Sequence, residues 1–151
     1  MRMPRTDLTS FVGALIAAVL MSTSIPARAA APAFKAELDP VAFTLATRGN
    51  VAGLGNVEGS LDGHTLSING KFSGLPSPAT SAHLRMGLAM GVPGPVIGEL
   101  SVTQGPNGVI SGKVTLNDEQ LAALQHNALY VQLESVKAPN GNLWGWLEQA
   151  H

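Results

Sequence analysis

The chain has 151 residues, nine Lys and Arg against ten Asp and Glu, a formal net charge of −1 and no cysteine. That length holds one ordinary domain. The lack of cysteine excludes disulfides, thiolate metal ligands, a cysteine nucleophile and lipid attachment to a Cys.

The first element in chain order is a leader. Arg2 and Arg5 form a short positive region, and residues 11–20 read FVGALIAAVL. This apolar stretch falls short of the ~20 residues that span a bilayer. Ala27 and Ala29 then satisfy the small-x-small cleavage rule. Residues 1–29 are read as a Sec-type signal peptide cleaved near Ala29, and residues 30–151 as the single mature domain. The three-part pattern disfavours the alternative of a buried helix or membrane anchor. The implied location is periplasmic or secreted, with no membrane attachment after cleavage. Arg2, Arg5, Arg28 and Asp7 leave with the leader, so six basic and nine acidic residues remain. Without a basic block, nucleic acid and anionic membrane surfaces are not expected partners.

In the mature part, Phe34, Ala36 and Leu38 alternate with Lys35 and Glu37, which predicts a first strand broken at Asp39-Pro40. Residues 41–46 are apolar and read as a possible edge strand. Val57, Gly59 and Leu61 alternate up to Asp62-Gly63, and Leu66, Ile68, Gly70 and Phe72 alternate beyond it. An Asp-Gly pair between two period-two runs predicts a tight hairpin. A turn centred on that pair sets Leu61 opposite His64, Gly59 opposite Leu66 and Val57 opposite Ile68.

Residues 75–78 hold two prolines and read as a loop. Ala82, Leu84 and Met86 alternate with His83 and Arg85, which predicts a strand with an apolar and a polar face. Residues 87–95, GLAMGVPGP, read as a second loop. Two strands follow, residues 96–103 and 110–116, joined by a GPNG turn. Asn117 then caps a short helix in which Gln120 reaches back, with Asp118 and Glu119 at the positive end of the dipole. That helix ends near His126-Asn127. Residues 130–134 form a strand with Val131 and Leu133 on one face and Tyr130, Gln132 and Glu134 on the other. Residues 138–141, APNG, read as a turn. Leu143, Gly145 and Leu147 alternate with Trp144 and Trp146 in the last strand. About seven short strands and one helix predict an all-β sandwich or barrel.

Catalytic motifs are absent: there is no G-x-S-x-G elbow, H-E-x-x-H or Walker loop. The glycines at 53, 55 and 59 lack dinucleotide-binding spacing and lead into a strand. Of the four histidines, His64 follows a turn, His126 ends the helix and His151 ends the chain. Only His83 lies on a strand flanked by unusual loops, and a lone strand histidine is more often structural than a ligand. Trp144 and Trp146 share a face. If Leu143, Gly145 and Leu147 fill the core, both indoles lie outside. They are then either an exposed platform for a partner or glycan, or are covered by a loop or the helix.

An ordered set of pieces carries a family resemblance. FKAEL (34–38), GSLDGHTLSINGKFSGL (59–75), SAHLRMG (81–87), GPVIGEL (94–100), TLNDEQLAAL (115–124), LYVQLES (129–135) and PNGNLWGWL (139–147) together resemble the CHRD domain. This domain is named after chordin and is found in exported bacterial proteins. The resemblance spans nearly all of the mature chain. It implies an immunoglobulin-like or superoxide dismutase-like Greek-key β-sandwich or barrel with one short helix. In chordin the domain belongs to an extracellular antagonist of growth factors, which argues for binding over catalysis; that role does not carry over. His83 matches the first histidine of the family's His-x-His, and Arg85 stands where the second would be. Glu134 and Trp144 stand where the family usually has His and Arg. If the family histidines form a metal site, two of them are gone here, and a guanidinium has no lone pair to replace them.

The reading from sequence is therefore an exported, non-enzymatic CHRD-type module without a cofactor, binding a protein or glycan of the cell envelope. The expected binding surface carries His83, Arg85, Glu134, Trp144 and Trp146, with a salt bridge between Arg85 and Glu134. The alternative is a periplasmic metal-binding or redox protein of superoxide dismutase-like descent, with His83 and a carboxylate such as Glu134 as ligands.

Overall fold

The structure, a computed structural model, describes residues 33–151. The signal peptide read at residues 1–29 and its cleavage near Ala29 lie outside the described residues. Nine strands and one helix follow in order: β1 (Ala33–Pro40), β2 (Leu54–Asp62), β3 (Thr65–Ser73), β4 (Ala79–Met86), β5 (Val96–Val102), β6 (Gly108–Thr115), α1 (Asp118–Gln125), β7 (Leu129–Ser135), β8 (Ala138–Trp146) and the two-residue β9 (Glu148–Gln149). Every pairing is antiparallel, in the order β1-β2-β3-β6-β5-β4-β7-β8. β8 meets β1 again through Asp39↔Trp144 and Pro40↔Leu143, closing an eight-stranded barrel. The β1–β8 and β5–β6 seams are the short ones, with two residue pairs each.

The barrel fills because alternation sends one side chain in two inward. Phe34, Leu38, Leu66, Ile68, Leu84, Ile110, Leu133 and Leu143 are among the interior residues with at most 2% exposure. α1 caps one end with Leu124 buried. Its Asn117–Gln120 capping box is formed as the spacing predicts, and Asn127 adopts a left-handed φ of 56° just past its end.

Three sequence expectations shift. The hairpin is present, but its two-residue turn is Gly63-His64, giving Leu61↔Leu66, Gly59↔Ile68 and Val57↔Gly70. Both registers put the same side chains inside, so the hydrophobic pattern does not distinguish them. The turn chemistry does: Gly63 takes φ 61° while His64 does not need positive φ. His64 is also tied to Leu116, the residue after β6, its Nδ1 lying 2.9 Å from the Leu116 carbonyl and its own carbonyl accepting from Leu116 N.

Residues 41–46 are loop, not an edge strand. After Val41 N donates to Asn142 O, the backbone turns on itself, with Arg48 N donating to Thr44 O and Thr44 N to Thr47 Oγ1. Residues 138–141 belong to β8 and are not the turn. That turn falls at Val136-Lys137, whose N–H groups donate to Pro78 O and Ser77 Oγ.

Candidate functional site: the outer face of β4, β7 and β8

β7 differs from every other strand because all seven of its residues are buried. Leu129, Val131 and Leu133 enter the core. Tyr130, Gln132 and Glu134 point outward and are nonetheless no more than 7% exposed. Flanking strands supply the cover. The register Ser81↔Glu134, His83↔Gln132 and Arg85↔Tyr130 sets β4 alongside, and Tyr130↔Trp146 and Gln132↔Trp144 sets β8 on the other side. The loop 87–95 folds over the top: Gly94 N donates to Tyr130 Oη at 3.0 Å, and Tyr130 Oη donates to Gly94 O at 3.3 Å.

Glu134 is the hub of this face. A buried carboxylate is costly unless its oxygens are satisfied. Here Oε2 accepts from Ser81 Oγ at 3.1 Å and from His83 Nδ1 at 3.0 Å, and Oε1 accepts from Gln132 Nε2 at 3.2 Å. A carboxylate only accepts, so Nδ1 of His83 carries the proton in this arrangement. Gln132 also donates to Asn140 O. Arg85 Nη2 stands 3.9 Å from Glu134 Oε1, the long end of ion-pair range, while its Nη1 donates to Gly94 O at 3.1 Å. The guanidinium thus fastens the loop to the strand as much as it faces the carboxylate. Its Nε is buried and has no hydrogen-bond partner among the described residues.

The two tryptophans lie on the outer side of β8, half-buried. Trp146 packs on Tyr130 with ring centroids 4.3 Å apart, and Trp144 meets Tyr130 edge-on at 6.1 Å. The indoles sit 6.2 Å from each other at 61°. Their remaining surface lines an open groove of about 340 Å³ whose far side is the outer face of β1 and Met90 from the loop. Of the two alternatives left open by the sequence, the indoles occupy a middle position. One side is covered and the other faces the groove.

The structure thus brings His83, Arg85 and Glu134 into one network and sets Trp144 and Trp146 beside it through Tyr130. Ser81 and Gln132 are the members that sequence reasoning did not single out, although period two places them on the same faces. Glu37, Asp39 and Glu148, across the groove from the indoles, carried no signal until β1 met β8.

The family resemblance raises a metal site, and the donors present do not fit one. His83 has turned Nδ1 to Glu134, both Glu134 oxygens are engaged, and the adjacent group is a cation. Among the described residues no cluster of three or more His, Cys, Asp or Glu is placed to hold a metal ion. A tight divalent site needs three or four converging ligands.

Barrel and face together define a small antiparallel β-barrel domain with one built, polar-backed outer surface. The model of the CHRD domain family matches residues 34–147, and the chain belongs to that family. No curated protein and no solved structure matches the chain.

Proposed function

We propose that this CHRD-domain protein is an exported, non-catalytic binding module whose ligand face is the outer surface of β4, β7 and β8, with Trp144 and Trp146 at its centre. The observation that carries the reading is the pair of indoles, braced from behind by buried Tyr130 and open in front to a groove of about 340 Å³. Aromatic groups already held in place lose little freedom on binding, which favours recognition. The Glu134 network serves as the brace of that face. Export rests on the residues of the leader, and the expected partner is a glycan or protein of the cell envelope. The strand order supports a superoxide dismutase-like Greek key as the finer architecture: β4, β5 and β6 are consecutive neighbours and β7 returns to lie beside β4.

Two measurements test this reading. Expressed from the full sequence in a host with a periplasm, the protein is expected in the periplasmic fraction with an N-terminus near Ala30; a cytoplasmic product with an intact N-terminus overturns export. Mixed with purified peptidoglycan sacculi, it is expected to co-sediment, and Trp144→Ala to remain in the supernatant. A variant that pellets as well as the parent removes the face from the reading, and a parent that does not pellet removes the glycan.

The metal or redox alternative would require His83 to turn Nδ1 away from Glu134. Stoichiometric copper or zinc in the purified protein, lost in His83→Ala, would establish it over the binding module.

A further inference from the structure

We propose that the groove beside Trp144 and Trp146 takes an alkylammonium group, a quaternary or primary ammonium on an aliphatic chain. This deepens the reading of that face as the ligand surface and rests on it.

The groove's two walls have different chemistry. One is the indole pair. The other is the outer face of β1, where alternation puts Lys35, Glu37 and Asp39 outward. The pairs Asp39↔Trp144 and Lys35↔Glu148 share one register, so Glu37 falls opposite Trp146. Glu37, Asp39 and Glu148 therefore stand along the indoles, three carboxylates against the single ammonium of Lys35. Gly145 lets the walls approach, because a Cβ there would collide with the Glu37 carbonyl oxygen. Among the described residues none of these three carboxylates has an ion-pair or hydrogen-bond partner.

Each feature selects for a cation. An ammonium over an indole face is attracted by the ring quadrupole, and the attraction grows as water is excluded. Three carboxylates without a partner among the described residues add a favourable field at the rim and repel anions. The Met90 thioether supplies a polarisable contact for N-methyl or methylene groups. A neutral sugar needs donors as well as acceptors around its hydroxyls, and this wall is mostly acceptor. The volume suits a headgroup and a short chain.

The chain has only two tryptophans, and both line the groove, so its intrinsic tryptophan emission reports this site alone. The test titrates the purified protein with choline, cadaverine, the neutral choline isostere 3,3-dimethylbutanol and chitotetraose. Choline and cadaverine are the arms for quaternary and primary ammonium. A saturable emission change is expected with one or both, and none with the isostere at equal concentration. Raising salt to about 0.5 M should weaken it severalfold. The double variant Glu37→Gln, Asp39→Asn should weaken it about tenfold while leaving the fold intact, since both carboxylates are solvent-facing. Trp146→Leu is a second probe, read by the remaining indole. An isostere that binds as well as choline overturns the ammonium and leaves a ligand face in place. Chitotetraose binding without either ammonium does the same. Silence from both ammonium probes overturns this inference whatever the sacculi show, so its failure is separable from that of the binding-face reading.

Discussion

The two faces of β7 bury their side chains by opposite means. Inward, Leu129, Val131 and Leu133 belong to the apolar core of the barrel. Outward, Tyr130, Gln132 and Glu134 are almost as completely covered, but by hydroxyl, imidazole, amide and guanidinium groups and a folded-back loop. Inward burial is non-directional and adapts to shape and volume. Outward burial is directional, because each polar atom must find a partner at the right distance or be left at a cost. The first kind makes a stable barrel. The second makes a face with one arrangement, and places two indoles at its margin.

The sharpest way to break that comparison is to truncate each face in turn. Leu133→Ala should destabilise the protein most, by about 2–5 kcal/mol in denaturant unfolding, because a fully buried residue leaves a cavity. Glu134→Ala should cost about 1–3 kcal/mol, since it removes the acceptor of Ser81 and His83 and one of the two acceptors of Gln132. A Glu134→Ala loss larger than that of Leu133→Ala would mean the outer network, and not the core, dominates the stability of this strand.

Double-mutant cycles divide the outer face further. The His83–Glu134 contact at 3.0 Å should couple more strongly than the Arg85–Glu134 contact at 3.9 Å. The Arg85 side chain is a quarter exposed, and its coupling should fall below about 1 kcal/mol. Equal couplings would show that charge, and not hydrogen-bond geometry, organises the cluster. The smallest effect belongs to Ser81→Ala, about 0.5–1.5 kcal/mol, the net value of one hydrogen bond. A neutral result would show that His83 and Gln132 satisfy the carboxylate by themselves.

Much of this was legible in the residues. The capping box at Asn117 and Gln120 is local chemistry, and it formed as spelled. Alternation assigned faces correctly in β4, β7 and β8, so His83 with Arg85, and Trp144 with Trp146, were each on the expected outer side. The hairpin was legible as an element but its register was not, because a shift of two residues along one strand leaves every side chain on the same face. The turn at residues 138–141 was misplaced for a related reason. Pro-Asn-Gly favours a turn locally, but Val136 and Lys137 gain partners from Pro78 and Ser77, which lie about sixty residues earlier.

The amino-acid sequence by itself determined which side chains face in and which face out, where the helix begins, and that no thiol chemistry is available. Those properties depend on neighbours one to four residues away, and alternation and capping act at that range. Only the tertiary structure decided that β8 closes onto β1, so that Glu37 and Asp39 stand across a groove from two indoles. It also decided that Glu134 collects donors from two strands. The first joins segments about 105 residues apart, and the Ser81 and His83 donors lie 53 and 51 residues from Glu134. Local preference has no reach over such separations, and the closing of the barrel brings the segments together.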